Sequence, residues 1–331
     1  MLAVLPLIAF GIFQRPSPMP VPAQDNAELA AMEQKSNELI KEGKYPELMK
    51  GAASKRAAIL KMIEEDRVGT AKDFLRASAL YDDSSGWYEA RRSQHEYALM
   101  ALALGETGAP SALKRTWDFL MASMGQRPRF GFMKPSPQFP LPERLQSVPP
   151  PPVLQAVFDE PERARSDAKA ARDNAEIKQL READQALRSG QVDFNKLHEM
   201  ASEEAKRRQR VRELLVAGVP KTGADYEGLS LVMQHGDTFD DFKLAHELSM
   251  ASLIVGYDDP WLVTATYDRM LLTIGQRQRF GTQFNQDGLR PMDPIGINDR
   301  MRLQFRLPKL VDLKAREQEV MKKTFGGGQV R

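Results

Sequence analysis

The chain has 331 residues, 42% hydrophobic and 28% charged, which is enough apolar material for one large core or two ordinary ones. Its 47 basic and 45 acidic side chains nearly cancel and no single-sign patch stands out, which argues against a nucleic-acid partner. Cysteine is absent, so disulfides, thiolate chemistry and cysteine-ligated zinc are excluded.

The first predicted element is an export signal. Leu2 to Phe13 is an apolar run too short to cross a bilayer as a helix, followed by Arg15 and the proline-rich PSPMPVPAQ. Small residues at Val21 and Ala23 have the spacing a signal peptidase prefers, so residues 1–23 read as a signal peptide cleaved after Ala23. No basic residue precedes the apolar run. The expected location is the periplasm or the extracellular space; left uncleaved, the segment would anchor the chain to a membrane. No other run approaches membrane length.

Behind it, one module occurs twice. GQRPRFGF from Gly125 recurs as GQRQRFGTQ from Gly275, HEYALMALALG from His95 lies over HELSMASLIVG from His246, and DNAEL from Asp25 matches DNAEI from Asp173. The spacing of about 150 residues is far beyond a solenoid unit of roughly 20–50, so the pattern is a domain duplication. The copies cover residues 25–131 and 173–323, the second including a C-terminal extension. Residues 132–172 read as a proline-rich, semi-rigid connector running into the start of a charged helix, and 324–331 as a flexible tail.

Each copy reads as about five helices. Leu113, Trp117, Leu120, Met121 and Met124 stand where the second copy has Val263, Tyr267, Met270, Leu271 and Ile274, a core-facing helical stripe that ends at Gly125 or Gly275. Thr70 with Asp73, and Thr222 with Asp225, have capping-box spacing. Strand signals are missing. The predicted fold is all-α: a tandem duplicated module of stacked antiparallel helix hairpins, tetratricopeptide-like. Pro308 to Lys323 reads as a last amphipathic helix, and the charged stretches 160–188 and 203–212 as solvated helix faces.

Residues kept in both copies read as structural: His95-Glu96 with His246-Glu247, Asp118 with Asp268, Gln126 with Gln276, and Phe130-Gly131 with Phe280-Gly281. The second copy alone carries Gln234-His235-Gly236, where the first has roughly Asp82 to Ser85. It also has Arg269 against Phe119, and Thr282-Gln283 against Phe132-Met133. A polar site therefore belongs to the second copy. Its candidates are Gln234, His235, Asp268, Arg269, Gln276, Gln278, Thr282 and Gln283.

With these residues in view, the second copy resembles an uncharacterised bacterial family known only as a domain of unknown function. That family has a QHG-type segment, a later Asp-Arg pair and a G-x-x-Q-x-F/Y-G-T-Q turn, here Gln234 to Gly236, Asp268-Arg269 and Gly275 to Gln283. The resemblance runs from about Arg207 to the segment ending at Arg302 and implies where a site lies, with no activity attached.

Read chemically, His235 suits proton transfer near neutral pH, Asp268 can orient it, and Arg269 offers a fork for a carboxylate or phosphate. The competing reading is that Asp268 and Arg269 tether the turn to its helix while His235 closes a helix end. The four histidines lack a metal-binding spacing, and there is no HExxH, P-loop, GxGxxG or GxSxG, so neither metal nor cofactor is expected. Two functions follow as expectations. The first is an exported helical scaffold that binds a peptide or protein of the cell envelope. The alternative is a small-molecule-binding domain or enzyme built on His235, Asp268, Arg269 and the GTQ turn.

Overall fold

The computed structural model describes residues 15–81, 87–133, 142–187, 197–285 and 287–324. The apolar run Leu2–Phe13, the Asp82–Ser85 segment, the side chain of His198, the prolines within 134–141 and the tail from residue 325 lie outside the described residues. Among the described residues the fold is all-α but for one short hairpin. The chain divides into two compact units, one of residues 19–161 and one of residues 162–331 with the N-terminal segment up to Pro18.

In the first unit α1 (Ala27–Lys41), α2 (Tyr45–Lys50), α3 (Ala52–Glu64), α4 (Ala71–Leu80), α5 (Trp87–Ala103) and α6 (Ala109–Ser123) follow one another. The sequence α4, α5, α6 forms the centre, each helix packing on the next. The Thr70–Asp73 capping box is formed at the start of α4, satisfying donors that a helix N-terminus leaves open. Leu113, Trp117, Leu120 and Met121 are wholly buried on α6, which stops at Gly125 in the left-handed conformation, φ 71°.

The proline-rich stretch does more than connect. Val148 N donates to Pro128 O at 2.8 Å and Arg129 Nη1 donates to Val148 O at 2.6 Å. α7 (Pro152–Asp159) then buries Leu154, Val157 and Phe158, the last with its ring centroid 4.6 Å from that of Phe130. Residues 142–159 thus close the first unit, because three apolar side chains in one short amphipathic helix are driven onto α6.

The second unit contains α8 (Pro161–Ala170), α9 (Ala175–Ala186), α10 (Leu197–Val216), α11 (Gly223–Met233), α12 (Phe239–Ile254) and α13 (Trp261–Thr273). A hairpin of β1 (Phe284–Asn285) and β2 (Gly288–Leu289), then α14 (Asp299–Gln304) and α15 (Leu313–Thr324), complete it. The hairpin was not foreseen, since two residues per strand carry no alternation to read. α15 docks through Leu313 and Val320, seven residues apart and both buried, and Glu317 Oε1 accepts from Leu289 N at 2.6 Å.

The same contacts recur in the two units. Thr70 Oγ1 donates to Asp25 and Thr222 Oγ1 to Asp173, at 2.8 and 2.7 Å. Asn26 N donates to Asp73 and Asn174 N to Asp225, at 2.8 and 2.7 Å. His95 and His246, both wholly buried, place Nδ1 3.3 and 3.2 Å from the hydroxyls of Thr116 and Thr266. Their rings lie against Trp117 and Tyr267, at 4.9 and 5.2 Å between centroids. Matching side chains thus hold matching helices in each copy.

Candidate functional site

The QHG turn follows α11, and each of its residues is engaged inward. Gln234 accepts at its carbonyl from Arg269 Nη1 at 2.6 Å, while its wholly buried side-chain amide has no hydrogen-bond partner. His235 places Nδ1 2.8 Å from Asp184 Oδ2 on α9, and both side chains are 1% exposed. The His235 carbonyl accepts from Arg208 Nη1 at 3.2 Å, and Arg208 Nη2 reaches Asp237 at 2.6 Å. Gly236 gives clearance: a Cβ there would stand 2.2 Å from the Asp241 Cβ. Asp241 is fixed in that place because its carboxylate accepts from Asp237 N, Thr238 N and Thr238 Oγ1 in a capping box at the start of α12, with Arg212 bound to its other oxygen.

Asp268 is wholly buried on α13 and holds the turn that follows its own helix. Its Oδ1 accepts from Arg279 N at 2.6 Å and Phe280 N at 2.9 Å; its Oδ2 accepts from Thr282 N at 3.0 Å and Thr282 Oγ1 at 2.8 Å. Asp118 does the same in the first unit with Arg129 N, Phe130 N and Phe132 N at 2.6, 2.7 and 2.8 Å. Burial raises the Asp268 carboxyl above its ordinary range against the pull of these donors. Nearby, burial brings the Arg302 guanidinium down to about 10, with Asp268 acting the other way. Arg302 ties the turn further, Nη1 to Phe280 O at 2.8 Å and Nε to Pro308 O at 2.7 Å.

Beside that turn, Gln278 bridges the chain: its Nε2 donates to Gln283 O and Arg290 O, and its Oε1 accepts from Gln283 N at 2.8 Å. Gln283 Nε2 donates to Ala265 O at 3.1 Å, and its Oε1 accepts from Arg269 Nε at 3.0 Å. Arg269 therefore links the QHG turn to the GTQ turn, and Asp268, one residue earlier on α13, serves a different partner set. Gln276 is exposed and stands apart from this network. A partly open cleft is lined by Arg269 and the buried Thr282 and Gln283, together with Trp261, Phe284 and the α15 residues Arg316 and Val320.

Of the eight residues expected at a site, hydrogen bonds join six, while His235 turns to Asp184 and Gln276 is exposed. Arg269, Thr282 and Gln283 reach the cleft, while His235, Asp268 and Gln278 are spent on helix and turn contacts. Sequence reading missed Asp184 and Arg208, which lie in stretches expected to be solvated faces. Each sits on its helix's buried stripe: Asp184 seven residues after Ile177, Arg208 three before Val211. A charge at an apolar position was the available signal. Among the described residues no three histidine or carboxylate side chains come together to hold a metal ion, and no helix is long and apolar enough to cross a membrane. Comparison of the chain with protein-family models, with curated proteins and with solved structures returns no match.

Proposed function

We propose that this chain is an exported, non-catalytic helical scaffold that binds a peptide or protein of the cell envelope. The observation that carries the reading is the sealing of the His235–Asp184 pair, both side chains 1% exposed. A general acid or base must come within hydrogen-bond reach of its substrate, and this imidazole is committed to a helix contact instead. Asp268, the other proton-handling candidate, has its carboxylate occupied by four donors of its own turn. The resemblance to an uncharacterised bacterial family is part of the same proposal, its shared residues being read as devices of the fold.

A scaffold needs apolar surface to offer, and the first unit has some where α1 meets α2: Ile40, Tyr45 and Met49 are 45%, 59% and 45% exposed. Such side chains near one helix turn suit a partner that covers them. A photo-activated cross-linker at position 45, in cells making the full chain, tests this. A discrete protein adduct that disappears on Met49→Asp supports the reading, and its absence counts against it.

The small-molecule reading keeps one observation, the cleft at Arg269, Gln283 and Trp261. Two arginines and an amide beside aromatic walls suit a small carboxylate. Thermal stabilisation of the wild-type chain, but not of Arg316→Ala, by a metabolite from a library would favour it over the scaffold.

A further inference from the structure

Within the C-terminal unit, one contact is made by a residue from the opposite end of the chain. The Arg15 guanidinium pairs with Asp259 Oδ2 and lies over the Trp261 ring, 5.0 Å from its centroid. We infer that Asp259 and Trp261 form a guanidinium-binding site, filled by Arg15 in the structure and by an arginine-bearing peptide in trans when Arg15 is withdrawn. The inference rests on the peptide-binding reading above and names the chemistry of one partner.

The site is prepared by the fold, not by Arg15. Asp259 stands two residues before α13, ahead of the N-cap Pro260, and its Oδ1 accepts from Trp261 N at 3.1 Å, which orients the carboxylate and directs Oδ2 at the cation. Trp261, the first residue of α13, offers its ring face, the partner a planar guanidinium favours. Burial is the main cause that lowers the Arg15 pKa, and the charge of Glu227 on α11 acts the other way. The Glu227 side chain is 10% exposed, its Oε2 accepts no hydrogen bond, and Arg181 Nε stands 3.1 Å away as an ion pair. Burial raises the Glu227 carboxyl, with the charges of Arg181 and Arg15 acting the other way. Arg306 opposes Arg15, but its own Nη2 pairs with Asp258 at 3.3 Å.

Arg15 thus reports what the site accepts. It also lies within the segment expected to be removed by cleavage after Ala23, which would leave Asp259 and Trp261 open to another chain. Trp261 also lines the cleft at Arg269, so a peptide anchored by its arginine would have a path beside it.

The test uses the full chain and a fluorescein-labelled, acetylated peptide RPSPMP, residues 15–20 of this protein, followed by anisotropy. The Arg15→Ala chain should bind the peptide at least about tenfold more tightly than the wild type, whose site is filled. Adding Asp259→Asn should weaken binding about tenfold, the loss of one close charge pair. A peptide with alanine in place of arginine should not bind. A charge-reversed pair, the Asp259→Arg chain with a glutamate-bearing peptide, guards against a misfolded variant and should restore binding. Equal affinity for wild type and Arg15→Ala, or for the arginine and alanine peptides, overturns the inference. That result would leave the cross-linking at position 45 to decide the scaffold reading by itself.

Discussion

His235 Nδ1 lies 2.8 Å from Asp184 Oδ2, joining the end of α11 to a helix 51 residues earlier in the chain. Both groups are sealed from water, so removing either takes a buried hydrogen bond from the other, although Asp184 Oδ2 also accepts from Gln185 Nε2 at 2.9 Å. His235→Ala should therefore cost about 3 kcal/mol of stability, as breaking a buried polar pair does, and Asp184→Asn appreciably less because an amide can still meet the ring. Urea unfolding of both single variants and the double variant at neutral pH measures the coupling. Additive losses would mean that the pair is not a tether.

Gly236 is constrained by space. Alanine there would drive its Cβ into Asp241, which cannot yield without opening the α12 capping box and its contact with Arg212. The expected cost is about 2 kcal/mol, the range of an overpacked interior site. Asp241→Gly should lose a similar amount through the cap and also removes the Cβ that the alanine would strike, so the two losses should fall short of additive in a double variant. A midpoint unchanged by Gly236→Ala would refute this account of the glycine.

Asp118 and Asp268 hold equivalent turns, so their conservative replacements should behave alike. Asn at either place retains one acceptor oxygen and turns an NH2 toward backbone donors. A loss of about 2–4 kcal/mol is expected at each. Hydrogen exchange at the Phe130 and Phe280 amides, which these carboxylates bind, should accelerate in the matching variant and not in the other.

His246 makes acid stability predictable. Burial lowers its pKa from 6.5 to about 3, so the folded chain keeps it neutral where the unfolded chain takes up a proton. The stability this contributes is present above pH 6.5 and is lost as the pH falls from there toward 3, at about 1.4 kcal/mol per pH unit. His246→Gln, which can still meet Thr266, should remove one proton from the slope of unfolding free energy against pH over that window. An unchanged slope would show that the ring is protonated in the fold.

The parts legible beforehand are those set by neighbours in the chain. The capping boxes at Thr70 and Thr222 form as their spacing requires, and the stripe from Leu113 to Met121 is buried together with its counterpart from Val263 to Leu271. The site was legible only as a set of names. Gln276 looked equal to Gln278 because both are glutamines of one turn, yet one is exposed and the other buried between Gln283 and Arg290. Nothing in their local sequence separates them, since the difference depends on which side of the turn meets the returning chain.

By itself the sequence determined the helical class, the duplication and the ends of several helices, because periodicity, capping and glycine conformation act within a few residues. Only the tertiary structure decided what the QHG and GTQ residues do. Asp184, Arg208 and Arg302 come to them from separate helices, and burial commits a polar group to the partners that packing brings within reach.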